Sequence, residues 1–299
     1  MSVGNSYPSP ARLLLDAPSL VYRAFFALPT TVTDPQGRPV NAVRGFLDMT
    51  ARLVTDHRGA EVVAVFDADW RPKVRVDAYP GYKAQRPDDP PELPPQFDVI
   101  AEVLDAAGVK RAEAPGLEAD DAIATLVARL EDGARASVVT GDRDLLALVK
   151  DPQVDVLFPV KGLSDPTRFD EAAVEAKYGV RPSLYPAFAT LRGDSSDGLP
   201  GVAGIGPVRA VKLLNEWGSI GGILDHLEAL PPKQAEAFAQ ARGYLEAMKT
   251  VVTLVSDAEL EQTQGGARDE KRVRALAEEH GLGSSSARFL RALDAKADR

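Results

Sequence analysis

The chain has 299 residues, 26% of them charged and 44% hydrophobic, with 35 basic and 44 acidic side chains giving a formal net charge of −9. Such a chain can bury about three quarters of its unfolded surface, and despite 24 glycines and 23 prolines its composition excludes a disordered or collagen-like polymer. The absence of cysteine and the wide separation of the three histidines (His57, His226, His280) exclude a disulfide scaffold, a thiol nucleophile and any cysteine- or histidine-cluster metal site. Any metal must be held by oxygen.

In chain order, residues 12–16 form a short apolar run that ends at Asp16 and reads as a buried strand. The segment 21–29 follows with Tyr22, Arg23, Phe25 and Phe26, aromatics that fit a core and one cation that does not. Residues 61–67 repeat the strand pattern and end at Asp67. Residues 70–96 break it, with many prolines and a basic-aromatic series of Arg71, Lys73, Arg75, Tyr79, Tyr82, Lys83 and Arg86. They read as a mobile excursion of the kind that binds single strands. Helical spacing then carries Phe97, Ile100, Ala101 and Leu104 to Gly108, and Ile123, Leu126, Val127 and Leu130 to Gly133. A third strand, 136–142, ends at Asp142. Beyond Phe169 helical patterns dominate, including the tail around Leu276, Leu282, Phe289 and Leu293. Strands alternating with helices imply an α/β fold with a mostly parallel central sheet, followed by a helical region. In such sheets ligands bind beyond the carboxyl ends of the strands, where Asp16, Asp67 and Asp142 all fall. The start of the chain has no leader pattern and no run approaches the ~18 apolar residues of a membrane span, so the expected location is cytoplasmic with no membrane partner.

Nine carboxylates stand in five places: Asp16; Asp67; Glu118, Asp120 and Asp121; Asp142 and Asp144; Asp194 and Asp197. The plain reading of any one is a helix cap or a solvated loop acid. Glu118 and Asp121, three residues apart at a helix start, are expected to share a face, with Asp120 turned further round. Gathered together the nine would repel one another unless cations filled the cluster, and their number suits two hard ions such as Mg²⁺ or Mn²⁺. Two ions roughly 4 Å apart clamp the attacking and leaving oxygens of phosphoryl transfer. The glycine-rich turn at 198–206, running into a helix, offers Gly201, Gly204 and Gly206 as places where main-chain N–H groups face a phosphate. Close helix packing is the plain alternative for these glycines.

In this order, Leu15-Asp16 with Tyr22-Arg23-Ala24-Phe25, Val65-Phe66-Asp67, Tyr82-Lys83 with Arg86, the segment 116–121, Thr140 to Asp144 and Gly193 through Gly206 resemble the 5′-nuclease family: flap endonucleases and the 5′ to 3′ exonuclease domain of bacterial DNA polymerase I. The likeness covers roughly residues 12–255. It implies a PIN-like 5′-nuclease core at 1–180 with a helical arch insertion at about 70–96, and a helical DNA-binding region at 181–299 with a helix-hairpin-helix at about 198–216. The chain's extent suggests a stand-alone form without a polymerase. The resemblance further implies a two-metal-ion nuclease, a 5′-flap endonuclease and 5′ to 3′ exonuclease of replication and repair that cuts DNA where a 5′ single strand meets duplex. Glu118, Asp120, Asp121, Asp142 and Asp144 would lie closest to the ions, with Asp16, Asp67, Asp194 and Asp197 completing the site. Catalytic roles would fall to Asp121 and Asp142 and to Lys83 and Arg86 on the scissile phosphate. DNA contacts would come from Arg23, Arg75, Tyr82, Lys83, Arg86, Gly201, Gly204 and Gly206, and the hairpin would hold K⁺. Ala17-Pro18, Gly198 and Val208-Arg209 depart from the family pattern without removing a carboxylate. The competing readings are a non-catalytic DNA-junction binder and an RNA-directed PIN-like nuclease.

Overall fold

The structure is a computed structural model and describes residues 11–159 and 166–294. The outermost residues of both expected regions, 1–10 and 295–299, lie outside those described. Seven strands form one sheet: β1 (Arg12–Asp16), β2 (Glu61–Val65), β3 (Lys110–Glu113), β4 (Ala136–Val139), β5 (Val154–Pro159), β6 (Pro166–Phe169) and β7 (Glu261–Gln262), in the order β6-β5-β4-β1-β2-β3-β7. The five inner strands run parallel; β6 and β7 close the edges antiparallel. A central parallel strand is covered on both faces, which is why β1 is a plain run of leucines. Leu13 and Leu15 point into one core with the helices Ala17–Ala27, Asn41–Asp56 and Pro94–Ala106. Leu14 points into the other, with Ala119–Ala128, Tyr185–Arg192 and Pro207–Trp217.

The chain leaves β1 toward β2 and β3 on one side and fills β4 and β5 on the other. This reversal opens a crevice at the carboxyl ends of β1, β2 and β4. Asp16 lies level with Val65 and Leu15 with Val139, so the three strands end side by side. Asp67 and Asp142 follow within two and three residues.

Two expectations change in detail. The excursion at 70–96 is packed rather than loose: it carries the short helix Lys73–Ala78 and buries Tyr82 against Leu199, Met248 and Val251. The tail is not simply part of the helical region. Strand β7 pairs with β3, and the helix Gly283–Asp294 lies along Asn41–Asp56, where Arg288 holds Asp48 through two nitrogens at 2.9 and 2.8 Å. Among the described residues no helix is long and apolar enough to cross a membrane.

Candidate active site

A cavity of about 580 Å³ opens at the crevice and is lined by Asp16, Asp67, Glu118, Asp120 and Asp142. Each is aimed by its neighbours. Asp16 caps the helix Ala17–Ala27 by accepting from Ser19 N (3.2 Å), and its second oxygen accepts from the Thr140 hydroxyl (2.5 Å). Thr140 also accepts from the main-chain N of Asp142 (2.8 Å), so one hydroxyl joins the end of β1 to the loop after β4. Ser19 ties the same loop by accepting from Gly141 N (2.8 Å). Asp67 accepts from Ala119 N (2.7 Å) at the positive end of the helix Ala119–Ala128, which begins beside Glu118 and carries Asp120 into the cavity.

Burial and mutual repulsion raise these acids. Burial first, then Asp142 and Asp67, pushes Asp16 up to about 7 against the stabilising bond from Thr140. Burial and Glu118 push Asp67 to about 6. Asp120 is raised well above the usual range by burial, Asp142 and Asp16. Asp144, beyond the cavity wall, is raised well above its usual range by burial and by Asp142, Asp197 and Asp194. Asp142 thus joins two groups of acids, one with Asp16, Asp67 and Asp120 and one with Asp144 and Asp197.

Asp194, 8% exposed, is spent on the hairpin: it accepts from Arg192 (2.9 Å), from the main-chain N of Ser196 (3.0 Å) and weakly from Arg143 (3.4 Å). The expectation for Asp121 needs correction. Its carboxylate is fully buried away from the cavity, accepting from Arg75 (2.7 Å), Val255 N (2.9 Å) and Glu118 N (3.3 Å). Consecutive helix residues lie about 100° apart, so only one of Asp120 and Asp121 can face the cavity, and it is Asp120. Glu118, the cap residue, does share a face with Asp121 as the three-residue spacing suggests, since both meet Arg75, and it also borders the cavity.

Two DNA-binding candidates are also withdrawn from the surface. Arg75, 3% exposed, is paired with Glu118 and Asp121; burial opposes its charge, but the two carboxylates outweigh it. Tyr82, equally buried, donates to Glu118 (2.7 Å) and has no free face for a base. Lys83 meets Glu118 and the main-chain oxygen of Trp70 (3.3 Å) on the cavity wall. Arg86 lines the same cavity and bonds Asp197 (2.7 Å) and the Ser196 oxygen (3.1 Å). Arg23 lies against Gly141, and among the described residues its Nε has no hydrogen-bond partner.

The hairpin joins Tyr185–Arg192 to Pro207–Trp217 and is closed by reciprocal main-chain bonds between Asp194 and Leu199 (2.9 and 2.8 Å). Here Gly201 is a packing residue: at φ +74° its missing Cβ would stand 2.6 Å from Gly193 N. Gly204 and Gly206 are exposed, and among the described residues nothing lies within 4 Å of that position.

Among the described residues no three acids are gathered tightly enough to enclose an ion by themselves. The donor chemistry still fits a hard cation. Mg²⁺ keeps several waters and is commonly held by one or two carboxylates rather than by an all-protein cage. An open cavity bordered by oxygen donors that raise one another's pKa supplies that arrangement.

Sequence reasoning did not single out Thr140, Ser19 or Trp70. The first was legible as a hydroxyl two residues before a strand-end aspartate, a spacing that suits a side-chain bond to the main chain.

The N-terminal resolvase-like domain of the 5′-3′ exonucleases matches residues 11–179, and their C-terminal SAM fold matches residues 180–272. The chain is 46% identical over 303 aligned residues to a 5′-3′ exonuclease of Streptomyces coelicolor, covering 95% of this chain and 100% of the relative. Against DNA polymerase I of Mycobacterium bovis it is 43% identical over 256 residues, 85% of this chain but 28% of that much longer one. Its fold is similar to that of the bacteriophage T5 D15 flap endonuclease, solved as a pseudo-enzyme-product complex with DNA and metal ions (TM-score 0.58, 19% identity, 96% and 99% of the two chains covered).

Proposed function

The chain belongs to the 5′-3′ exonuclease family, and we propose that its acidic cavity hydrolyses DNA phosphodiesters where a 5′ single strand or flap meets duplex. The observation that carries this reading is the convergence of Asp16, Asp67, Asp120 and Asp142, from four separate places in the sequence, on one cavity at the sheet's switch point. We assign Asp16, Asp67, Asp120 and Asp142 to one Mg²⁺ or Mn²⁺ and Asp142, Asp144 and Asp197 to a second, with Glu118 and Asp194 steadying the surroundings. Cations held by these carboxylates would supply a lowered pKa for an attacking water and stabilisation of the leaving 3′ oxygen.

The remaining steps belong to the chain. Lys83 and Arg86, on the cavity wall, turn from Glu118 and Asp197 toward the scissile phosphate and offset charge spreading over its non-bridging oxygens. Arg75 stays on Glu118 and Asp121 and keeps the base of the excursion against the helix Ala119–Ala128. The exposed Gly204 and Gly206 lead into Pro207–Trp217, whose N-terminus receives a duplex phosphate, with K⁺ as its companion ion. In this division the core up to residue 180 supplies most of the acids, Asp197 reaches them from the second region, the rest of the region from 181 holds the duplex, and 261–294 folds back onto the core. Contacts fall on phosphates, so sequence is hardly read. We propose further that the enzyme acts on replicating and repaired DNA in the cytoplasm.

Incubation with a 5′-flap DNA, its all-RNA counterpart and Mg²⁺ or Mn²⁺ tests the reading. The expected products are short DNA oligonucleotides, with the new 5′ end of the retained strand phosphorylated. Binding without cutting, or faster cutting of RNA, overturns it.

A further inference from the structure

Four large apolar side chains stand well exposed among the described residues: Phe26 (71%), Trp70 (50%), Val74 and Val208. Exposed apolar residues scattered singly need no explanation. Phe26 and Trp70, however, border the same acidic cavity. None of the steps above uses either ring.

Trp70 is the better placed of the two. It comes three residues after Asp67, and its main-chain oxygen accepts from Lys83 Nζ. The turn that carries it is pinned on both sides: Asp69 accepts from Arg71 N (2.9 Å), and the Arg71 guanidinium donates to the main-chain oxygens of Tyr82 (2.6 Å) and Pro80 (3.0 Å). A fixed backbone thus presents a half-exposed indole beside the acids and the phosphate-facing lysine. Holding such a ring in water forfeits hydrophobic stabilisation that burial would return, so its presentation calls for an occupant. The occupant must reach a cavity that takes a phosphodiester. Phe26 sits in the last turn of the helix that begins beside Asp16, about 15 Å from that acid along the axis.

We propose that Trp70 stacks on the unpaired base adjoining the cleaved phosphodiester, so that the indole, and not only the acids, sets where the single strand is cut. This rests on the nuclease reading above. Stacking tolerates any base because each has a π-face. It also distinguishes strands, because a base inside a duplex has both faces covered by its neighbours. Trp70 therefore contributes to the preference for a 5′ single strand.

A double-mutant cycle tests the proposal. The measured quantity is kcat/KM on a 5′-flap DNA and on the same flap carrying an abasic residue next to the junction. Wild type should lose about tenfold or more on the abasic flap. Trp70→Ala should lose about as much on the ordinary flap and nothing further on the abasic one, and Trp70→Phe should recover most of it. Phe26→Ala should leave the abasic penalty intact. Independent, additive losses, or a wild type indifferent to the missing base, overturn the role of Trp70 while leaving the nuclease reading intact. A wild type that cuts neither flap overturns the nuclease reading itself. As a second readout, indole emission should fall when the flap binds, against the constant background of Trp217, which is stacked on His226 at 4.2 Å.

Discussion

Thr140 Oγ1 donates to Asp16 at 2.5 Å while accepting from the main-chain N of Asp142 at 2.8 Å, so a single hydroxyl sets the spacing of the two strand-end acids on which the site is built. Thr140→Val keeps the shape and removes both bonds. The expected result is a loss of roughly 10- to 100-fold in cation affinity or cleavage, the usual size for a partner behind a ligand. Thermal unfolding should show a stability loss of about 1–3 kcal/mol for the unsatisfied buried groups. Wild-type turnover in this variant would mean that the two acids are held apart by something else.

Asp121 and Asp142 separate fold from chemistry. Asp121→Asn weakens the compensation of the buried Arg75 and should cost about 3 kcal/mol, measured by denaturant unfolding. Its activity should fall only as far as the fold does. Asp142→Asn removes a charge that presses on Asp16, Asp120 and Asp144. It should abolish detectable flap cleavage and, at pH 8 without cations, raise Tm by a few degrees.

The raised acids make cation-free stability depend on pH. A carboxyl whose folded pKa exceeds its unfolded value contributes stability that is complete below the unfolded value, 3.8, and is lost as pH rises through the folded one. For Asp67 and Asp16 the losses run upward from 3.8 and are complete above about pH 6 and 7. In a chelator, Tm should therefore fall between about pH 4 and 7 relative to the protein in Mg²⁺. The gain in Tm on adding Mg²⁺ should be larger at pH 8 than at pH 5. An equal gain at both would show that the ions do not meet these carboxyls.

The hairpin glycines should divide in the same manner. Gly201→Ala forces a Cβ to within 2.6 Å of a neighbouring main-chain nitrogen at a positive φ and should destabilise the protein by more than about 1 kcal/mol. Gly206→Ala meets nothing within 4 Å and should fold normally while weakening duplex binding. Melting curves and duplex titrations of the two variants check the pair, and normal duplex binding by Gly206→Ala would remove the helix N-terminus from the interface.

The sheet's centre was legible because β1, β2 and β4 are buried on both faces and must be apolar runs, and because each run leads to an aspartate. Strand β3, Lys-Arg-Ala-Glu, was not: its charges are answered by Glu61 and Asp105, contacts that no local pattern announces. Five of the nine acids line the cavity as the sequence suggested, but the choice between Asp120 and Asp121 depended on how the first helical turn is oriented. Arg75 and Tyr82 read as surface ligands because their partner Glu118 lies about forty residues away in sequence. Phe25 and Phe26 are indistinguishable in sequence; the helix buries the first and leaves the second 71% exposed.

The central claim is that oxygen donors from separate strands hold paired dications in one cavity. A crystal grown in Mn²⁺, with anomalous peaks located, tests it most directly. Two peaks roughly 4 Å apart, one among Asp16, Asp67, Asp120 and Asp142 and the other between Asp142, Asp144 and Asp197, are the predicted result. Peaks only at surface carboxylates, or none at saturating Mn²⁺, would contradict it.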